Sequence, residues 1–315
     1  MAMAAKPPTA MVYGPPKRGK TSDLLRCDPR GTFFTPAKGN LDPWSSMTLI
    51  RPTEVEVETL DDVISWLHGV QRGKNKRPTS VILDDTSVLA ERTIIALTKK
   101  RQPELQDWGK LRRKILLLRE ICIVLGIPLL MSSHERMPWV TKTGDPQPGG
   151  PKMPTKEATP DFPYIATLVL RCGHDPFAIE PDWPGRYIVA PKDTRWITGD
   201  RYGVVSDKAP MNLREILVRA KERGCNVMVP ARAPGTEWLD SAAEGVARGI
   251  ARGMFSEAQA CGVVATQFAN KPPEHLRWAW QDGVARARLR AYNPFRFFVP
   301  HSAAASAGTV AGFNL

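Results

Sequence analysis

Short apolar runs alternate with longer segments of helical spacing through the first two-thirds of the chain. A short apolar run between turn residues is typical of a buried strand, whereas apolar positions three and four residues apart indicate a helix. The predicted strands are residues 10–13, 31–35, 80–83, 129–132, 165–170 and 186–190. One predicted helix begins at Ser22, and two others cover residues 61–68 and 108–125. This alternation predicts an α/β fold with a mostly parallel sheet and helices on both faces.

The pattern changes after Pro230. Residues 237–267 are rich in Ala and Gly and predict helix, and a second helix is expected from Pro272 to about Tyr292. Residues 302–315 have low sequence complexity, which is typical of a flexible end. We therefore expect one domain over residues 1–230 and a helical C-terminal extension over residues 231–315.

Residues 141–160 form another irregular segment. They are rich in Pro, Gly and Lys and contain almost no large apolar residues. This composition predicts a mobile loop.

A glycine-rich loop follows the first predicted strand and has the pattern GxxxxGK[ST]. A strand, a tight glycine loop and a helix in this order aim backbone N–H groups and the positive end of the helix at one point, where polyphosphate can bind. Lys20 would reach the β- and γ-phosphates, and the Thr21 hydroxyl would bind Mg²⁺. The sequence therefore predicts an ATP site. Its expected contact residues are Gly14, Pro15, Pro16, Lys17, Arg18, Gly19, Lys20, Thr21 and Ser22.

Two carboxylates follow the apolar strand at residues 80–83. The carboxyl ends of parallel strands meet at one sheet edge, so Asp84 would lie beside the phosphate loop and bind Mg²⁺ directly or through water. Asp85 is a candidate for polarising the attacking water. Its alternative role is to cap the helix that begins at Thr86. Asp42, in the loop after the second strand, is the rival candidate for activating water.

A histidine follows the next strand, in the sequence Ser132-Ser133-His134. That strand end also faces the nucleotide edge of an open α/β sheet. A neutral imidazole can donate a hydrogen bond to phosphate, so His134 is a candidate sensor of the γ-phosphate. A histidine that merely begins a loop is the alternative.

The overall composition adds information about partners and compartment. The chain of 315 residues is 42% hydrophobic and 24% charged, which is normal for a soluble globular protein, and its net charge is +12. A basic excess favours an acidic partner, most often nucleic acid. The five cysteines show no CxxC pair, and the N-terminus shows no signal peptide. We therefore expect a cytoplasmic protein without a membrane partner.

Together these motifs resemble the RecA-like P-loop ATPases, and more closely the compact phage-encoded members described as nucleotide-binding or single-strand annealing proteins. The resemblance rests on the phosphate loop, on Asp84 closing its strand, on His134 at the next strand end, and on the segments 108–112 and 190–201. It covers about residues 8–220. It implies a RecA-like ATPase that uses ATP and Mg²⁺, binds single-stranded DNA, forms a ring or filament of identical subunits, and works in the host cytoplasm.

The resemblance also implies a contact between subunits. In the family, a Lys-x-Arg-like element after a late strand reaches the neighbouring subunit's nucleotide. Lys192 and Arg195 match this element, although Thr194 stands as an extra residue between Asp193 and Arg195. One of these cations would offset charge that develops on the γ-phosphate. An ordinary basic turn is the alternative.

RecA-like proteins bind single strands through two loops, and this chain is basic at both positions. Cations in these loops would neutralise phosphates, and Trp139 would stack on a base. Solvated surface loops are the alternative. The candidate DNA-binding residues are Lys99, Lys100 and Arg101 in the first loop and Arg136, Trp139, Lys142, Lys152 and Lys156 in the second.

The C-terminal extension interleaves arginines with aromatic residues between Arg277 and Arg296. Such a segment can bind nucleic acid, recruit a replication or single-strand-binding partner, or dock a helix onto the core. Two other functions also remain open for the chain. One is a P-loop motor or phosphotransferase without DNA-binding loops, and the other is a nucleotide-binding scaffold.

Overall fold

The computed structural model describes residues 5–37, 39–44, 47, 49–99, 102–141, 144, 146–152, 161–173, 186–188, 197–205 and 209–291. In this part of the chain the strands are β1 (Thr9–Gly14), β2 (Thr32–Thr35), β3 (Thr53–Glu56), β4 (Val81–Leu83), β5 (Leu129–Arg136), β6 (Trp139–Val140), β7 (Pro146–Gln147), β8 (Gly150–Pro151), β9 (Leu168–Gly173), β10 (Arg186–Ile188), β11 (Gly199–Asp200) and β12 (Ala209–Pro210). The helices are α1 (Lys20–Cys27), α2 (Leu60–Gln71), α3 (Thr86–Thr98), α4 (Leu105–Leu125), α5 (Asp161–Ile165), α6 (Leu213–Glu222), α7 (Trp238–Ala251), α8 (Gln259–Gln267) and α9 (Pro273–Ala291).

The main sheet has the strand order β12-β10-β9-β1-β5-β4-β2-β3. All neighbours from β9 to β3 are parallel, and β10 and β12 add an antiparallel edge. β5 lies between β1 and β4, so the strand that leads to His134 separates the phosphate-loop strand from the Asp84 strand. The predicted α/β class, with a mostly parallel sheet flanked by helices and a helical C-terminal region, is confirmed.

Alternate residues of the central strands face two hydrophobic cores. In β1, Ala10 and Val12 pack in the core with α1 and α6, whereas Met11 and Tyr13 pack in the core with α2, α3 and α4. This alternation follows from the two-residue period of a strand whose two faces are both covered. Within the described residues, no helix is both long enough and apolar enough to cross a bilayer.

Several predicted element boundaries were wrong. The strand expected at residues 129–132 continues through His134 to residue 136, so His134 does not begin a loop. The strand expected at residues 165–170 begins only at Leu168, because residues 161–165 form helix α5, which buries Phe162 and Ile165. The helix expected over residues 237–267 is divided into α7 and α8. Gly253 adopts a φ of 68° after α7, and glycine reaches this left-handed conformation more readily than other residues.

The segment predicted as a mobile loop contains short strands in its described part. β6 pairs with β7, and β8 pairs with the end of β5. Residues 153–160 and the flexible end predicted at residues 302–315 lie outside the described residues.

A buried charge network, which we call the Asp282 network, joins the C-terminal helices to α1. Asp282 of α9 is fully buried and contacts two guanidinium groups, those of Arg26 (2.6 Å) and Arg232 (2.6 Å). Asn212 also donates a hydrogen bond to Asp282 (2.7 Å). Burial alone would raise the pKa of Asp282, but the two arginines and these hydrogen bonds hold it well below its ordinary value. α9 is therefore held by charge to the helix that follows the phosphate loop.

Three arginines of α9 also pair with carboxylates. Arg286 binds the fully buried Glu215 (2.8 Å), and Arg288 pairs with Glu257. Arg290 binds Glu244 (2.8 Å). Of the roles that the sequence left open for the arginine-rich segment, these contacts support docking of a helix onto the core.

Replacing Asp282 by Asn should destabilise the fold by about 3 kcal/mol or more, because the buried Arg26 would lose its carboxylate. Arg232 would keep its contact with Asp240 (2.9 Å). The matched control is Glu257→Gln, which removes the partner of Arg288 from a pair that is about one-third exposed. Loss of an exposed pair costs about 0–1 kcal/mol. Denaturant unfolding of both variants measures the difference. Equal losses would show that the Asp282 network contributes no more than a surface pair.

Candidate functional site

Three strand ends meet at the carboxyl edge of the sheet. The register of β1 against β5 places Gly14 opposite His134, and the register of β4 against β5 places Leu83 opposite Met131. Asp84 follows Leu83 directly. The phosphate loop, Asp84 and His134 are therefore neighbours, as the sequence predicts.

The loop between β1 and α1 needs its glycines. Gly14 has a φ of 156°, and a Cβ there would lie 2.7 Å from the backbone oxygen of Cys172. Gly19 has a φ of 75° and immediately precedes α1, which begins at Lys20. Lys17 also has a positive φ, of 60°, while Pro16, Lys17 and Arg18 are exposed. The loop thus turns tightly and leads to a helix N-terminus, where backbone N–H groups favour an anion.

Lys20 is buried beneath this loop. Its Nζ donates hydrogen bonds to the carbonyl oxygens of Gly14 (3.0 Å) and Pro15 (2.7 Å). Burial lowers the pKa of Lys20 below its ordinary value, and the nearby carboxylates Asp84 and Asp85 oppose this shift. The ammonium group is thus held at the loop by neutral carbonyl groups and can exchange them for phosphate oxygens.

Asp84 is the central acceptor of the site. Thr21 Oγ1 donates a hydrogen bond to Oδ2 (2.6 Å), and Ser132 Oγ donates one to Oδ1. Burial raises the pKa of Asp84, and the hydrogen bonds from Ser132 and Thr21 oppose this shift. Hydroxyl and carboxylate oxygens are the ligands that Mg²⁺ prefers, so the pair Thr21 and Asp84 fits the predicted metal site.

The two carboxylate oxygens of Asp85 have different contacts. Oδ1 accepts hydrogen bonds from the backbone N–H groups of Ser87 (2.6 Å) and Val88 (3.1 Å) and so caps helix α3. Oδ2 lies 3.1 Å from His134 Nε2 and accepts no hydrogen bond from the described residues. The predicted cap is therefore present, and the same carboxylate also contacts the candidate sensor. The rival, Asp42, is exposed in a short 3-10 turn, Asp42–Trp44, after β2.

The candidate sensor is bonded to the returning strand of the second predicted DNA loop. The backbone N–H of Lys152 donates to the carbonyl oxygen of His134 (2.7 Å), and β8 pairs with Glu135 and Arg136. Glu135 in turn forms an ion pair with Arg171 of β9 (3.2 Å). A displacement of this loop would therefore act directly on the backbone of His134.

The structure describes only part of the predicted DNA-binding set. Lys99 and Lys152 are exposed, and Arg136 is half-buried at the end of β5. The side chain of Trp139 lies outside the described part of the structure, as do Lys100, Arg101, Lys142 and Lys156. Lys192 and Arg195, the candidate contacts to a neighbouring subunit, also lie outside it.

Sequence reasoning missed several polar residues around the site. The role of Ser132 as a donor to Asp84 and the pairing of Glu135 with Arg171 were not predicted. Asp23 of α1 was also missed. It accepts the backbone N–H of Leu213 (3.2 Å), and burial raises its pKa to about 7, a shift that this hydrogen bond opposes. The available signal was the position of Ser132 directly after the apolar run of residues 129–131, just as Asp84 directly follows the apolar run of residues 81–83.

No protein-family model and no curated protein matches the chain. Among solved structures, it is similar to a KaiC-like protein from the hyperthermophilic archaeon Pyrococcus horikoshii, with 13% identity and a TM-score of 0.30 over 56% of this chain and 75% of that one. It is also similar to the RadB recombinase, with 13% identity and a TM-score of 0.33 over 55% of this chain and 77% of that one.

Replacing Ser132 by Ala should cost about 1–3 kcal/mol of stability, because one oxygen of the buried Asp84 would lose its donor. The loss should shrink in the presence of Mg²⁺ and ATP if the metal then satisfies that carboxylate. Ser133→Ala is the matched control, since the equally buried Ser133 hydroxyl donates, among the described residues, to the neighbouring carbonyl of His134 and not to a carboxylate. Thermal unfolding with and without Mg²⁺ and ATP measures both effects. Identical behaviour of the two variants would contradict a role for Ser132 in holding Asp84.

Proposed function

We propose that this chain is an ATP-binding and ATP-hydrolysing RecA-like protein that binds single-stranded DNA and promotes annealing or recombination in phage DNA metabolism. The observation that carries the proposal is the contact of Thr21 with Asp84, 2.6 Å between Oγ1 and Oδ2. It joins the end of a phosphate loop to a carboxylate at the end of a buried strand, which is the arrangement that a nucleotide with a bound metal requires.

Different groups at the loop would bind different parts of the nucleotide. The backbone N–H groups around Gly19 would cradle the phosphates, and Lys20 would move from the carbonyls of Gly14 and Pro15 to the β- and γ-phosphates. Thr21 and Asp84 would hold Mg²⁺, which neutralises phosphate charge when bound.

His134 and Asp85 would act on the γ-phosphate side of the site. His134 is about half exposed and lies opposite Gly14 in the pairing of β5 with β1, so its ring can approach a bound nucleotide. Asp85 is held in place by the helix that it caps, and its second oxygen would orient the imidazole or an attacking water. Orientation of this kind lowers the barrier because the reacting groups are already in place.

The coupling to DNA would run through β5. This strand carries His134 and continues to Arg136, and the returning chain is hydrogen-bonded to His134 at Lys152. A single strand bound to Arg136 and Lys152 would therefore act on the sensor through the backbone. We propose that subunits assemble so that Lys192 or Arg195 of one contacts the nucleotide of the next.

The proposal predicts that ATP turnover depends on Mg²⁺ and rises when single-stranded DNA is added. Lys20→Ala should abolish nucleotide binding, because it removes the cation that would meet the phosphates, and should cost about 1–3 kcal/mol of stability, because the carbonyls of Gly14 and Pro15 lose their donor. The measurement is phosphate release with and without single-stranded DNA, together with unfolding of the variant.

Other results of these measurements would favour a different function. Turnover that single-stranded DNA does not change would favour a P-loop motor or phosphotransferase. Nucleotide binding without turnover would favour a scaffold. Unchanged ATP affinity in folded Lys20→Ala would contradict the nucleotide site itself.

A further inference from the structure

A row of cations lies at the sheet edge opposite the phosphate loop. β4, β2 and β3 are parallel neighbours, so the segments that lead into them lie side by side at their amino ends. Backbone hydrogen bonds join these segments, from Thr32 to Ser80 (2.9 Å) and from Arg51 to Pro29 (2.7 Å). We call the set of cations on them the basic edge: Arg30, Arg51, Arg72, Lys74, Lys76 and Arg77.

The basic edge has little negative charge of its own. The sequence has no Asp or Glu between Asp62 and Asp84, and none in residues 43–53. The nearest carboxylate before β2, Asp28, is fully buried and accepts the backbone N–H of Arg30 (3.1 Å). On β3 the first carboxylate is Glu54, and one of its oxygens is buried.

Three of these cations are exposed and unpaired. Arg72, Lys74 and Lys76 are exposed, and none of them forms an ion pair with the described residues. Most of the arginines of the C-terminal helices, by contrast, are paired with carboxylates. The positive potential of the basic edge is therefore not cancelled locally.

The loop that carries the three cations is held in one conformation. The backbone N–H groups of Lys74 and Asn75 both donate to the carbonyl of Gly69 (2.8 and 3.2 Å), and the Asn75 side chain donates to the carbonyl of Trp66 (2.8 Å). Arg77 donates to the carbonyls of Leu125 and Gly126 at the end of α4. A side chain at Gly69 would collide with Asn75, since its Cβ would lie 2.4 Å from Nδ2. The backbone that carries the cations thus has little conformational entropy left to lose on binding.

We propose that the basic edge binds the phosphate backbone of nucleic acid at a second site, separate from the loops beside His134. The choice of nucleic acid rests on the proposed function. The exposed sequence neighbours of the three cations are Gln71, Gly73 and Thr79, which lack the large apolar side chains that a membrane-binding surface needs beside its cations. The exposed Ile123 and Val124 lie instead near Arg77, at the end of α4. Contacts to phosphates add affinity without sequence preference.

The position of the basic edge separates this site from the nucleotide site. It lies at the amino ends of the strands, and the nucleotide site lies at their carboxyl ends. Binding there should therefore be independent of ATP, whereas binding by the loop that is hydrogen-bonded to His134 should respond to it.

The test is the triple variant Arg72→Gln/Lys74→Gln/Lys76→Gln. Fluorescence anisotropy with labelled single-stranded and double-stranded oligonucleotides, at several salt concentrations and with and without a non-hydrolysable ATP analogue, gives affinity and its salt dependence. Each lost phosphate contact lowers the slope of log affinity against log salt by roughly 0.7 for single strands and 0.9 for double strands. We expect the slope to fall by about 2 or more on the strand type that the basic edge binds, equally with and without the analogue.

The matched control is Arg113→Gln/Lys221→Gln/Arg252→Gln, which removes the same charge from exposed positions on or beside α4, α6 and α7 that form no ion pair with the described residues. It should keep most of the wild-type slope. An unchanged slope in the basic-edge variant on both strand types, an equal fall in the control, or no binding of either strand by the wild type would overturn the proposal.

Failure of the proposed function can be told apart from failure of this inference. If the wild type does not hydrolyse ATP but the basic-edge variant shows a smaller salt slope, the second site is supported and the ATPase activity is contradicted. If single strands stimulate ATP turnover in the wild type and in the basic-edge variant, and the salt slopes of the two are equal, the ATPase activity is supported and the second site is excluded.

Discussion

The burial of Asp84 is the constraint on which the site depends. A carboxylate removed from water needs hydrogen-bond donors, and here Thr21 and Ser132 supply them from two other elements. The requirement is met only when β4 and β5 pair in the observed register and α1 begins directly behind the phosphate loop. A shift of one residue between β4 and β5 would turn Ser132 to the other face of the sheet and leave Asp84 without that donor.

A second buried carboxylate fixes the other end of the same helix. Thr21 lies in the first turn of α1, and Arg26 lies in its last turn, where it binds Asp282 of α9. Arg26 also donates to the side chain of Gln281 (2.7 Å) and packs over the ring of Trp278. The C-terminal helices therefore share the core of the sheet and hold the helix that presents the phosphate loop. Substitutions in α9 can consequently affect nucleotide binding without contacting the nucleotide.

The sequence was informative where the pattern is local. The phosphate loop, the apolar strand before Asp84 and the strand before His134 were predicted because each depends on a few adjacent residues. The Asp282 network could not be predicted, since Arg26 and Asp282 are 256 positions apart and nothing near either one identifies its partner. The same is true of Ser132, whose role depends on the pairing of β5 with β4. The division between α7 and α8 depends on one glycine in an otherwise helical composition. The roles of His134, Asp85 and the DNA-binding residues remain predictions.

The most direct test of the account is a crystal structure of the chain with Mg²⁺ and a non-hydrolysable ATP analogue. We expect the triphosphate at the loop of residues 14–21, with Lys20 Nζ moved from the carbonyls of Gly14 and Pro15 to the β- and γ-phosphates. We also expect the metal beside Thr21 Oγ1 and Asp84, bound directly or through water. A triphosphate bound elsewhere, or a metal held by other carboxylates while Thr21 stays bonded to Asp84, would contradict it.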